Sequence, residues 1–452
     1  MPTRTAEEAS GEERDLLSAL PDEILQHVLS FLPSVDVEYR TCLLARRWRD
    51  LWRFTPALRI THDSDDSEDT NDFVNRLLLF RDHTSPLLTC EIKDWDCFDP
   101  FEFDIPNVPL PCRYIALWIR YALKHQARVL RVSTSKGSKH LKLDWTPLIS
   151  QHLAVLELGG AELTERGLDL SRYPALTDLK ITNCLVTARK ISSQSVRRLV
   201  ANDNNYGQGR PRVRISIPSL VSLQLNGIVG LAPVLESMPL LETALVAPGK
   251  ECLDRCGYST TGNCNFVSCK GCNDSPDDMC VLLSGLSNAT DLKLIDEPNL
   301  LIFKRDLTLC PTFSKLKTLL LSGWSVSVDL SPVVCLLRHS PILEKLSFRL
   351  YKIPEQEVEV EGSKNPEPRY ALAHLKVVEG ECREIEESAQ NFSNFYGIPA
   401  GLITIREPSG SCYSSCRRAA NSIDKEVSPN QHPSRSERRR QRRQQRRLAM
   451  TS

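Results

Sequence analysis

Six segments of this 452-residue chain share one spacing, L-x-x-L-x-L. Leu153, Leu156 and Leu158 carry it in "LAVLEL", Leu176, Leu179 and Ile181 in "LTDLKI", and Leu220, Leu223 and Leu225 in "LVSLQL". Leu316, Leu319 and Leu321, then Leu343, Leu346 and Phe348, then Leu372, Leu375 and Val377 continue it. Looser copies start near Ala127, Val196, Leu241 and Ala289. Successive starts lie 20 to 29 residues apart, except for one oversized gap after Leu241. The last two apolar positions of a unit are two apart, so both face one side of a short strand, and the first sits on the turn leading into it. One such unit cannot bury its own apolar face. Stacked units can, as a parallel sheet with one continuous inner core. Residues between the apolar positions, such as Glu157, Lys180, Gln224 and Lys293, then point outward along the opposite, binding face.

That period is the leucine-rich-repeat period, and ahead of it stands a denser unit. "LPDEILQHVLSFLPSVDVEYRTCLLARRWRDLW" fills residues 20–52. Pro21 suits the first turn of a helix, where its missing N–H costs nothing. Asp22 and Glu23 favour the positive end of the helix dipole. Ile24, Leu25, Val28, Leu29 and Leu32 recur at helical spacing. Pro33 ends that helix, and Ser34 can cap the next, with Asp36 and Glu38 in its first turn. Leu43 and Leu44 close the second helix, and a third carries Trp48, Leu51 and Trp52 at i, i+3 and i+4. Three short helices cannot bury this much apolar surface alone. Either they cap the solenoid or they meet another protein.

"LPDEILQHVLSFLP" followed by "CLLARRWRDLW" resembles the F-box, in the form found in plant F-box proteins with leucine-rich repeats, including FBD-like grass members. The resemblance covers about residues 15–55. It implies docking on a Skp-type adaptor of a cullin–RING ubiquitin ligase, while the repeat surface takes an unknown target protein. By position, Leu20, Pro21, Ile24, Leu25, Val28, Leu29 and Leu32 would line the adaptor contact. Leu43, Leu44, Trp48, Leu51 and Trp52 would complete it or support it from within. Ala45 stands where many relatives carry serine, which weakens a helix cap.

The expected organisation is α/β: a disordered start at 1–14, the F-box at 15–55, and an acidic linker with a helical connector at 56–125. A leucine-rich-repeat solenoid follows at 126–405, with a Cys-rich insertion at 250–282, and a disordered Arg-rich tail at 406–452. "THDSDDSEDTND" puts six acids in twelve residues and reads as a solvated loop. "FVNRLLLFRDH" after it reads as an amphipathic helix. "HLKVVEGECREIEES" resembles the last repeat and the start of the C-terminal region of the same family, where a longer helix usually follows.

Fifty-seven basic residues balance 57 acidic ones, so net charge gives no general case for nucleic acid or membrane. The N-terminus has no secretory h-region, and apolar runs fall short of the ~18–20 residues a membrane span needs. The expected location is cytoplasmic, nuclear or both. The tail carries eight arginines and one glutamate between Arg435 and Arg447. It fits a nuclear-import signal, a nonspecific nucleic-acid contact or a solvated end. No aromatic is interleaved for base stacking, which argues against sequence-selective reading.

Cys252, Cys256, Cys264, Cys269, Cys272 and Cys280 crowd the oversized gap. Buried thiols, structural zinc and redox disulfides all fit; the spacing matches no standard finger, and no metal or other cofactor is assigned on it. Protease, hydrolase, P-loop and dinucleotide motifs do not occur. None of the nine histidines is spaced from a cysteine as a catalytic or ligand pair. The sequence therefore reads as a non-enzymatic receptor subunit of a ubiquitin ligase. The alternatives are a repeat scaffold working without a ligase and a nucleic-acid-associated protein tethered by its tail.

Overall fold

The structure is a computed structural model. It describes residues 17–351, apart from 18, 62–66, 96–109, 135–139, 143–148, 166–167, 210, 296–299, 326–330 and most of 257–279, and beyond them 374–381 and 403–406. The chain divides into two compact units, 1–405 and 406–452, and the first carries the architecture. The expected tail beyond Arg406, the N-terminal start, Cys272 and Leu372 lie outside the described residues.

Among the described residues, thirteen strands lie side by side in the order of the sequence, from Ala57–Thr61 to Ile403–Arg406. Leu156 pairs with Leu179, Leu179 with Leu199, Leu199 with Leu223 and Leu223 with Ala244, all in parallel register. Ala244, Leu292, Leu319 and Leu346 extend the same row. Every side chain of that row is buried, so the spacing in the sequence is the spacing of one stacked core. The looser copies at Ala127, Val196, Leu241 and Ala289 hold the same place in it, each buried with its two partners. Two three-stranded parallel sheets accompany the main one.

Two further units precede those seen in the sequence. The stretch 56–125, read as linker and helical connector, contributes the strands Ala57–Thr61 and Thr89–Trp95, paired in register. Leu87, Cys90 and Ile92 follow the repeat spacing and are fully buried, with a thiol in a leucine place. Burial raises that Cys90 thiol to about 12. In the first unit Leu58 and Ile60 are buried and Thr55 holds the leading position. The helix Ser67–Phe80 takes in the second half of the expected acidic loop.

The unit expected to start at Leu372 is displaced from its expected place. Leu346 pairs with Val378 and Phe348 with Gly380, so Leu375, Val378 and Gly380 fill the apolar positions. Val377 is 38% exposed. Adjacent residues of a strand face opposite ways, and here Val378 takes the core.

Between strands, the turns reuse a few devices. Asn204 is buried; its amide accepts the Cys184 backbone N–H at 2.9 Å and donates to the Ile181 carbonyl at 3.1 Å. Cys184 and Asn204 each stand three residues past the last apolar position of their unit, where the repeat pattern calls for Asn or Cys. At Gly230, with φ +88°, a Cβ would lie 2.1 Å from the Gly207 carbonyl oxygen. Only glycine lets the two coils approach so closely.

Candidate functional site

The N-terminal unit has helices α1 (Asp22–Leu29) and α2 (Val35–Arg40), and α3 (Ser67–Phe80) and α4 (Leu110–Lys124) follow it. Pro21 precedes α1 with ψ 153°, and its carbonyl accepts the Ile24 and Leu25 N–H groups at 3.1 Å. Ser34 caps α2, its hydroxyl accepting from the Val37 N–H at 3.4 Å. The expected third helix is two short 3-10 turns, Arg46–Arg49 and Leu51–Phe54. Ala45 leads the first and offers no side-chain cap. Asp50 between them, at φ −113° and ψ −7°, does not continue a helix.

These elements close around Leu25, Leu29, Trp48 and Leu51, with Leu20 and Leu32 packed at the edge. Arg47 ties the last part of the unit to the first. Its guanidinium donates to the Asp22 carboxylate at 2.6 and 2.9 Å, and to the Leu20 carbonyl. The Leu-Pro start and the Arg-Arg-Trp end are thereby one clasp.

The structure divides the twelve expected adaptor-binding residues. Leu25, Leu29, Trp48, Leu51 and Trp52 are buried, so in the free chain they build the unit and present no surface. Leu20 and Leu32 are half-buried, and Pro21 is exposed. Ile24 and Val28 are 46% and 43% exposed, and Leu43 and Leu44 are 83% and 71% exposed. In this structure Leu25 and Leu29 face the unit's own small core, while Ile24 and Val28 face outward. The two pairs form neighbouring stripes of one helix, about 100° apart at 3.6 residues per turn. Phe31, 69% exposed, continues the outer stripe and was missed. Its signal was its place seven residues after Ile24.

The unit also caps the solenoid. Val35 and Trp52 belong to the main core, not to the small one. Tyr39 lies edge-on to Trp52 and to Phe73 of α3, with ring centroids 5.6 Å apart in both pairs. The Thr55 hydroxyl donates to the Glu38 carboxylate, and Arg81 donates to the Thr55 carbonyl. Arg59 donates to the carbonyls of Ser30 and Leu32. Capping and docking had looked like competing readings of this unit; its inner side does the first and its outer apolar stripe remains exposed.

On the outward face of the sheet, Glu157, Lys180, Gln224 and Lys293 lie where expected, half-buried between buried neighbours. Register places them in one row: Arg59, Glu91, Arg131, Glu157, Lys180, Val200, Gln224, Leu245, Lys293, Leu320, Ser347 and Glu379. Its first third is neutralised internally. Arg131 bridges Glu91 and Glu157 at 2.8 Å each, and Arg59 and Lys93 also reach Glu91. Burial alone would push the Glu91 carboxyl up; Lys93, Arg131 and Arg59 hold it below its ordinary value. Val200, Leu245 and Leu320 follow as half-buried apolar positions in the middle of the row.

Two groups converge as metal ligands do, among the described residues. The thiols of Cys256, Cys264 and Cys269 lie within 4.8 Å of one another, as do the ligand atoms of Cys310, Cys335 and His339. The second group corrects the reading that no histidine is paired with a cysteine. Cys335 and His339 are four apart at the end of one helix, with Sγ 3.8 Å from Nδ1. That nitrogen also lies 2.8 Å from the Cys335 carbonyl, which fits a ring held to its own helix end.

Residues 17–56 match the F-box domain. The chain is similar to an F-box/FBD/LRR-repeat protein of Arabidopsis thaliana, 30% identical over 227 residues, covering 47% of this chain and 49% of that protein. It is similar to F-box/LRR-repeat protein 13 of Arabidopsis thaliana, 30% identical over 178 residues, which are 39% of this chain and 36% of that one. Against F-box/LRR-repeat protein 25 of the same plant it is 52% identical over 44 residues, 10% of this chain and 17% of the other. The chain spans about half the length of the first of these and less of the others. The chain thus joins a segment that matches the F-box domain to a mostly parallel sheet of stacked leucine-rich units. Over those segments it is similar to F-box/leucine-rich-repeat proteins of a plant. Among the described residues, no helix is long and apolar enough to cross a membrane.

Proposed function

We propose that this chain is the substrate-recognition subunit of a Skp–cullin–F-box ubiquitin ligase. The F-box docks on the Skp-type adaptor and the outward row of the solenoid holds a target protein. The observation that carries this reading is the outer stripe of Ile24, Val28 and Phe31 with Leu43 and Leu44, exposed on a unit whose own core is already closed. A mere cap would bury its apolar residues against the solenoid, as Val35 and Trp52 are. Five exposed large apolar side chains on one small unit favour a protein partner. The chain would supply affinity and geometry. Ubiquitin transfer would gain its rate from proximity to an enzyme recruited elsewhere on the scaffold.

The middle of the row, around Val200, Gln224, Leu245 and Leu320, offers the target apolar area beside hydrogen-bonding groups. The charged third near the F-box is already self-paired and offers less. The test is capture of a purified plant Skp-type adaptor by the full chain. An Ile24→Asp/Leu44→Asp variant should fail to capture while keeping its circular dichroism. Wild-type chain that is folded and captures no adaptor would leave a ligase-independent scaffold.

A further inference from the structure

Between Ala247 and Val281 the described large side chains Leu253, Tyr258 and Phe266 are 42%, 61% and 56% exposed. Cys256 and Cys269 are buried at 0% and 2%, and Cys264 is half-buried. The three thiols share a small cluster with Leu301 and no aromatic or β-branched side chain among the described residues. Cysteine and phenylalanine are both commonly buried; here Phe266 and Tyr258 stay exposed while the three thiols converge.

The five described cysteines of the insertion are not equivalent. Cys252 belongs to the solenoid core and donates to the Asp254 carboxylate at 3.9 Å. Cys280 packs on that core from the other end and accepts the Ser284 N–H at 3.0 Å. Cys256, Cys264 and Cys269 instead converge, all as thiols, with every sulfur within 4.8 Å of the other two. Zinc–sulfur bonds of about 2.3 Å in a tetrahedron set sulfurs roughly 3.8 Å apart. Small movements of side chains close that difference.

Both ends of the insertion are fixed from one short helix, Ile302–Asp306. Asp306 accepts three backbone N–H groups at the far end, from Val281, Leu282 and Leu283, at 2.6 to 2.8 Å. Arg305 reaches Asp254 at the near end at 3.7 Å. The Leu301 N–H donates to the Asp254 carbonyl at 2.7 Å, which sets Leu301 against the thiols. The thiols are thus presented from a frame anchored at both ends.

We propose that Cys256, Cys264 and Cys269 bind one zinc ion as thiolates, a structural site that folds the insertion on the side of the solenoid. Binding releases the three S–H protons to solvent, and the ion's remaining coordination is completed outside this trio. Three thiolates, two of them buried beside Leu301, suit zinc, which needs no redox partner and accepts tetrahedral sulfur.

The test uses the full chain, purified with reductant and trace zinc. Metal analysis should find one zinc per chain, lost on Cys256→Ser/Cys269→Ser and kept on Cys252→Ser and Cys280→Ser. Cobalt(II) added to the zinc-stripped wild type should give intense tetrahedral bands and a thiolate charge-transfer band, which needs no variant to fold. Less than a tenth of an equivalent of zinc in the wild type with no cobalt bands overturns the site. So does a disulfide within the trio under the same conditions, copper or iron in place of zinc, or zinc retained by the double variant.

Discussion

Arg212 and Asp254 meet fork to fork, at 2.6 and 2.8 Å, with side chains only 4% and 1% exposed. Arg212 also donates to the Ala232 carbonyl at 3.0 Å, and the Ala232 N–H donates to Asp254 at 2.9 Å. A pair so deeply buried recovers its desolvation cost only because its remaining lone pairs and protons are also engaged. It joins the start of the Cys-rich insertion to a coil of the solenoid more than forty residues earlier in the chain.

Removing one partner leaves the other charge buried and unpaired. Asp254→Ala should therefore cost about 3–5 kcal/mol, read from the urea midpoint. Arg212→Met/Asp254→Leu should be less destabilised than Asp254→Ala, because no buried guanidinium remains without its carboxylate. A loss under about 1 kcal/mol for Asp254→Ala would mean that solvent reaches the pair.

Glu38 carries a pH dependence of known sign. Burial raises its carboxyl from 4.5 to about 7, against the Thr55 hydrogen bond and the nearby Arg81 and Arg59. Between those values the folded chain keeps a proton that the unfolded chain has released. The group's stabilisation is thus fully present below about 4.5 and lost as pH rises to about 7. The whole effect is of order 3 kcal/mol. Glu38→Gln cannot titrate, so the stability of the variant relative to wild type should rise between pH 5 and pH 7.5. A difference that stays constant over that range would rule out a titrating Glu38.

The F-box can be dissected by separating its two stripes. Leu25 is fully buried, and Leu25→Ala should cost about 2–5 kcal/mol of stability through the cavity it leaves. Leu44, 71% exposed, should tolerate Leu44→Ala with a stability change within about 0.5 kcal/mol. On adaptor affinity the order reverses wherever both chains remain folded. Leu44→Ala should weaken binding by about 2 kcal/mol, near thirtyfold in Kd, by calorimetry. Equal affinity for Leu44→Ala and wild type would move the contact off this stripe.

Much of this was legible in the sequence, and the failures have specific causes. The row from Leu156 to Leu346 was readable because stacked units repeat one constraint many times. Thr55 hid the first unit by putting a hydroxyl where a leucine is usual, and Glu38, seventeen residues earlier, is what makes that hydroxyl acceptable in the core. Val377 and Val378 are equally apolar, so composition could not say which faced inward; the pairing with Leu346 decided it. Ile24 and Leu25 posed the same difficulty in a helix, where two adjacent apolar stripes look alike until one is packed. Cys256, Cys264 and Cys269 match no standard spacing, and it took the path of the backbone to bring them together.

Asp306 makes a final prediction about how the insertion is held. One oxygen accepts the Val281 N–H, and the other accepts those of Leu282 and Leu283. Asp306→Asn keeps one acceptor oxygen and replaces the other with a donor that faces an N–H. Asp306→Ala removes both and strands three backbone donors in a buried place. Each stranded donor costs about 1–3 kcal/mol, so the alanine variant should be the less stable by several kcal/mol if no water enters. Amide hydrogen exchange at Val281, Leu282 and Leu283 should accelerate in both variants, and more in Asp306→Ala. Exchange at Leu319 and Leu346, deep in the repeat row, should change only as far as global stability falls. Unchanged protection at the three amides in Asp306→Ala would show that the solenoid, not this carboxylate, fixes the end of the insertion.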